Sequence, residues 1–153
     1  MIIMQAIILA GGFGTRLQSV ISDTPKVMAP VRGKPFLAFI LDYLEQADKE
    51  IRAAILVAGY HENIENPFKK LNNTFIGKKF NWNKIAENCE EFIVIGSDND
   101  EYIPEDVTRR LAFKLDAELH IIHNGGHLNA DAGYKKFPFL LQLIERLHNN
   151  ESY

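Results

Sequence analysis

Residues 91–104 read Glu91-Phe-Ile-Val-Ile-Gly-Ser-Asp-Asn-Asp-Glu-Tyr-Ile-Pro104, and residues 118–127 read Glu118-Leu-His-Ile-Ile-His-Asn-Gly-Gly-His127. Each segment starts as a short apolar, β-branched run and breaks into a polar loop. Glu91–Gly96 and Glu118–His123 have the length and composition of buried strands. Between them Val107, Leu111 and Leu115 recur at helical spacing, which predicts a helix starting near Pro104. A strand, a helix and a second strand in that order imply parallel pairing. Both polar loops then leave the sheet at its carboxyl edge, where ligands bind in such sheets.

The same pattern repeats outward in both directions. Gln5–Ala10 and Ala53–Ala58 are two further apolar strands. A helix is expected from Pro35 or Phe36 to about Ala47, with Phe36, Ile40, Tyr43, Leu44 and Ala47 on one stripe. Short helices are expected at Ile64–Leu71 and Trp82–Cys89, within or beside an Asn- and Lys-rich stretch at 61–81. The last helix begins at Pro138, a favoured first-turn proline, and ends near His148. The expected fold is a three-layer α/β domain, Rossmann-like or truncated α/β-hydrolase-like, with a mostly parallel sheet of about four strands. With the strands in sequential order, right-handed crossovers put the earlier helices on one face and the last helix on the other. Part of one face and one sheet edge are then expected to be exposed, which favours a homodimer.

The carboxyl-edge loops carry the first candidate chemistry. Asp98 and Asp100 follow the third strand, and His127 follows the fourth. An acid and a histidine on adjacent loops form the orienter–base pair of a hydrolase triad. Acid before histidine is the chain order of α/β-hydrolases. The nucleophile is missing. A Gly-x-Ser-x-Gly elbow belongs on the strand-to-helix turn before Ala53, but the serines are Ser19, Ser22, Ser97 and Ser152, and none lies in such a turn.

That turn holds Gly11-Gly-Phe-Gly-Thr-Arg16 instead, followed by Pro25-Lys26. Gly11, Gly12 and Gly14 let backbone N–H groups approach a ligand closely, and successive N–H groups make an anion nest. Arg16 adds a planar fork suited to phosphate oxygens. Lys26 can reach a second phosphate as a point charge. Thr15 sits near the elbow position, but no base is assigned to its hydroxyl.

Two resemblances follow from these residues. Residues 5 to about 45, with AIILAGGFGTRL, PKVMAPVRGKPFL and LDYL, resemble the N-terminus of sugar-nucleotide nucleotidyltransferases of the sugar- or heptose-1-phosphate type. That likeness implies that Gly11, Gly12, Gly14, Thr15, Arg16 and Lys26 hold a nucleoside triphosphate or sugar phosphate, with Mg2+ accompanying the nucleotide. Asp98 or Asp100 could stand in as a magnesium ligand after a strand. Residues from about 46 to 150, with AAILVAGY, FNWNKIAENCEEFIVIGSDNDEYIP and AELHIIHNGGHLNADAGYKKFPFLLQLI, resemble the second half of small serine hydrolases of the retinoblastoma-binding protein nine and YdeN type. In that family the acid lies in an Asp-x-φ-φ-Pro segment, here Asp100 to Pro104. The likeness therefore implies Asp100 as acid and His127 as base, 27 residues apart.

The chain thus reads as a chimera within one domain: a nucleotidyltransferase-like β-loop-α unit over 1–48 and a serine-hydrolase-like half over 49–153. The join is expected between Phe36 and Arg52. Such a fusion is expected to bind phosphates without completing either parent reaction. The alternatives are a hydrolase using Asp100 and His127 with another nucleophile or water, and a non-catalytic or engineered fusion. Composition excludes little else. With 153 residues, a net charge of −3 and 46% hydrophobic residues, the chain has no basic stripe for nucleic acid and no apolar run of membrane-spanning length. A single cysteine, Cys89, allows no internal disulfide or cysteine metal cluster, and with no signal-peptide pattern the expected location is cytoplasmic.

Overall fold

A computed structural model describes residues 51–65 and 79–149 in full, and three N-terminal strands through their backbone. The strands are β1 (Met4–Leu9), β2 (Pro30–Val31), β3 (Lys34–Pro35), β4 (Ile51–Val57), β5 (Cys89–Ser97) and β6 (Glu118–Ile122). The helices are α1 (Trp82–Glu87), α2 (Glu105–Leu115) and α3 (Pro138–Asn149). The main sheet runs β1-β4-β5-β6, with every neighbouring pair parallel. Leu9 faces Val57, Val57 faces Ile95 and Ile95 faces His120, so the carboxyl ends of the four strands are level.

Strand composition explains the layering. β4 reads Ile-Arg-Ala-Ala-Ile-Leu-Val with almost no polar alternation, as a strand covered on both faces requires. Ala54, Leu56, Phe92 and Val94 pack with Ile85 of α1 and with Leu111, Ala112 and Leu115 of α2. Ala53, Ile55, Val57, Ile93 and Ile95 point the other way, against Leu140, Leu143 and Leu147 of α3. The period of two in the strands therefore sorts one apolar run into two cores. Among the described helices, α3 is the one on this face, and α1 and α2 lie on the other. Both faces of β4 and β5 are buried, so the expected bare sheet face does not fall on these strands. Among the fully described strands the partly exposed one is β6, at the edge.

Local signals set the helix ends. The Asn81 side chain caps α1 by accepting the Lys84 N–H at 3.2 Å. Asp116 ends α2 in the left-handed region at φ 50°, and the Ala117 N–H returns to the Ala112 carbonyl at 2.9 Å. Gly96 lets α2 lie close to β5: a Cβ there would sit 2.6 Å from the Thr108 methyl, and Thr108 is itself buried.

Two expectations move. Pro35 pairs with Pro30 in the β2–β3 hairpin and so begins no helix; the rest of the helix expected to Ala47 lies outside the described residues. Ile64 and Glu65 are irregular, and residues 66–71 of the expected short helix also lie outside. Among the described residues, no helix is long and apolar enough to cross a membrane.

Candidate active site

The loop after β5 delivers Asp100, and the loop after β6 delivers His127. Asp100 Oδ1 accepts the backbone N–H groups of Tyr102 at 2.8 Å and Ile103 at 3.1 Å. This local turn orients the carboxyl before α2 begins. The other oxygen, Oδ2, lies 2.8 Å from His127 Nδ1. The side chains are 2% and 6% exposed, so the contact is made out of water. A carboxylate only accepts, which places the shared proton on Nδ1; in the neutral ring Nε2 then keeps its lone pair. Nε2 has no hydrogen-bond partner among the described residues. Tyr102 packs edge-on against the imidazole, with ring centroids 4.9 Å apart, and limits its rotation. The arrangement matches the orienter–base half of a triad: oriented ring, fixed tautomer, open acceptor nitrogen.

Asp98 sits nearby but belongs to a different pair. Its Oδ2 lies 2.5 Å from His123 Nδ1, and its Oδ1 accepts the Asn124 N–H at 2.8 Å. The Asn124 N–H, and then the His123 ring, hold the Asp98 carboxyl below its usual range. The outer nitrogen of His123 meets the Asn124 side-chain amide at 2.8 Å, so this exposed ring has no open acceptor. Sequence reasoning named Asp98 only as a second candidate acid; the His123 partnership was invisible because nothing in the spacing separates it from the Asp100–His127 pairing. All four carboxylate oxygens of the two aspartates take N–H donors. Among the described residues no group of three His, Cys, Asp or Glu side chains could hold a metal ion.

Gly11, Gly12, Gly14, Thr15, Arg16 and Lys26 lie outside the described residues. β1, which precedes them in sequence, ends at the same carboxyl edge from which the Asp100 and His127 loops leave. A cavity of about 420 Å³ lies elsewhere, lined by His61, Glu62, Asn63, Lys79, Phe80, Trp82 and Lys114, and contains neither member of the dyad.

A sequential parallel sheet with an acid after its third strand and a histidine after its fourth defines an α/β-hydrolase-like domain. The chain belongs to the serine hydrolase family, whose model matches residues 27–146. YdeN of Bacillus subtilis is 26% identical over 135 residues, covering 88% of this chain and 70% of YdeN. The crystal structure of YdeN superposes with a TM-score of 0.73 at 21% identity, covering 95% of this chain and 99% of that one. A second similarity is shorter and stronger. The D-glycero-alpha-D-manno-heptose 1-phosphate guanylyltransferase of Campylobacter jejuni is 49% identical over 80 residues, which is 52% of this chain and 34% of that enzyme. The chain thus spans about a third of that relative's length. The serine hydrolase RBBP9 of Rattus norvegicus is 30% identical over 78 residues, 41% of its length. Both expected resemblances are therefore present, as a chimera requires. The family match begins just after Lys26, leaving the glycine segment outside it.

Proposed function

We propose that this chain is a serine-hydrolase-family domain that keeps Asp100 and His127 as an acid–base dyad and carries a phosphate-binding segment in place of the nucleophile elbow. The observation that carries the reading is the buried 2.8 Å contact between Asp100 and His127, with Nε2 left open. His127 is the base, and Asp100 holds its ring and tautomer. Gly11, Gly12, Gly14, Thr15, Arg16 and Lys26 bind the phosphates of a nucleoside triphosphate or sugar phosphate, a role supported by the similarity to guanylyltransferases. Mg2+ enters as the counter-ion of the bound nucleotide. No serine lies in a Gly-x-Ser-x-Gly turn, so a serine acyl-enzyme does not form; members of a triad act as a unit, and losing one removes most of the acceleration.

Two measurements test this reading. A serine-reactive fluorophosphonate probe should leave the protein unlabelled, and labelling at any of the four serines would overturn the missing-nucleophile argument. Titration calorimetry with GTP, CTP or ATP and magnesium should show binding that weakens at least tenfold in Arg16→Ala, the loss of one charge-assisted phosphate contact. Undiminished binding in that variant would remove Arg16 from the site.

A further inference from the structure

The loop after β5 pairs with the loop after β6 residue by residue. Asp98 takes the His123 ring and the Asn124 N–H, and Asp100 takes the His127 ring. Asn99, between the two acids, completes the series. Its Oδ1 accepts the Gly126 N–H at 2.8 Å and the Ser97 hydroxyl at 2.8 Å. Its own N–H returns to Ser97 Oγ at 3.4 Å. The two donors fix the amide orientation, because only the oxygen accepts. Ser97 is the last residue of β5 and is 1% exposed, so one end of this link is anchored in the core. The other end holds the N–H of Gly126, the residue directly before His127.

The histidine loop needs such a hold. Asn124, Gly126 and Leu128 have φ angles of 53°, 55° and 52°, three left-handed residues within five. For Leu that conformation is costly and persists only where neighbours over-determine it. Gly125 has no room for a Cβ, which would come within 2.8 Å of Leu128 and 3.0 Å of Ile122. The loop is therefore tightly folded, yet only His123, Asn124 and His127 of it donate hydrogen bonds to the two aspartates.

We propose that Asn99 is a positioning residue for the dyad: it holds the Gly126 peptide so that His127 Nδ1 meets Asp100 Oδ2 and Nε2 remains open. This rests on the reading of Asp100 and His127 as an acid–base pair. Asn99 itself touches no reacting atom; it acts through the backbone of its neighbour across the sheet edge.

The test reads the imidazole Nδ1 proton of His127 by proton and nitrogen-15 NMR on the full chain. In the native sequence this proton should resonate downfield and exchange slowly with water, and Asp100→Asn should abolish the signal. Failure of either result removes the dyad reading itself. With the signal present, Asn99→Ala should speed its exchange roughly tenfold to a hundredfold, the loss of one or two net hydrogen bonds, while β5 amides keep their native exchange. Asn99→Asp retains an acceptor at Oδ1 and should stay within about threefold of the native rate. Asn99→Gln displaces the acceptor by one methylene, should behave like Asn99→Ala, and serves if the alanine variant does not fold. An unchanged His127 rate in the alanine or glutamine variant overturns the proposal. Equal acceleration of the β5 amides also overturns it, because Asn99 would then support the fold at large.

Discussion

Asp100→Ala should lower the unfolding free energy by about 3–5 kcal/mol and remove whatever base activity His127 has. Three donors lose their acceptor at once: the N–H groups of Tyr102 and Ile103, and the Nδ1 proton of His127. Each unsatisfied buried donor costs about 1–3 kcal/mol. Asp100→Asn separates structure from chemistry. The asparagine oxygen can still accept both backbone N–H groups, so stability should fall by less than about 2 kcal/mol. Its amide nitrogen, however, faces His127 Nδ1 as a donor. The imidazole then moves its proton to Nε2, and the open acceptor disappears. In the serine-protease triad this exchange lowers turnover about ten-thousandfold, and a loss of that order is expected here for any reaction that uses His127 as base. Denaturant unfolding of both variants, with turnover measured on one substrate, checks the pair of results. Equal destabilisation by alanine and asparagine would mean that the backbone turn carries little, and undiminished turnover in the asparagine variant would remove His127 as the base.

The second large effect is a loss of stability in mild acid, caused by His61. Its side chain is 4% exposed, lies 5.1 Å edge-on from the Trp82 ring, and among the described residues has no hydrogen-bond partner at Nδ1. Burial, then the positive charge of Lys114, lowers its pKa from 6.5 to about 4, against the opposing charge of Glu62, 3.6 Å from Nε2. The unfolded chain therefore takes up a proton near pH 6.5, whereas the folded chain resists until about pH 4. Stability contributed by the neutral ring is complete above pH 6.5 and is lost progressively as the pH falls towards 4. The difference corresponds to about 3 kcal/mol across that window. Denaturant midpoints measured at pH 7 and pH 4.5 should show this fall. His61→Phe keeps an aromatic ring against Trp82, removes the titration, and should flatten that part of the profile while remaining no less stable at pH 7. A native profile as flat as the variant's would refute the assignment.

Much of the fold was legible in advance because the relevant signals are local. Strands β4, β5 and β6 were found within two residues of their ends, since an apolar run of five to nine residues between polar breaks has few other homes. The stripe Val107, Leu111, Leu115 marked α2 through helical spacing, and Pro138 marked the start of α3. Sequential strand order was assumed in placing the helices, and the sheet has it. The helix ends were less legible. Pro35 looks like a first-turn proline, yet it closes a hairpin with Pro30, because a proline that lacks an N–H suits a strand edge equally well.

The candidate site divides along the same line. Residue type and chain order named His127 with Asp98 or Asp100, the missing serine and the glycine segment, and the family likeness chose Asp100. Spacing alone could not pair two aspartates with two histidines. Asp98 and Asp100 differ by two positions, His123 and His127 by four, and either matching is compatible with spacing alone. Only the level carboxyl ends of β5 and β6, the left-handed turns at Asn124, Gly126 and Leu128, and the Asn99 bridge send Asp98 to an exposed ring and Asp100 to a buried one. The sequence by itself determined which groups this protein has and in what order they meet the sheet edge. The tertiary structure decided which acid orients which base, because hydrogen-bond geometry depends on ångström-scale register that periodicity does not encode.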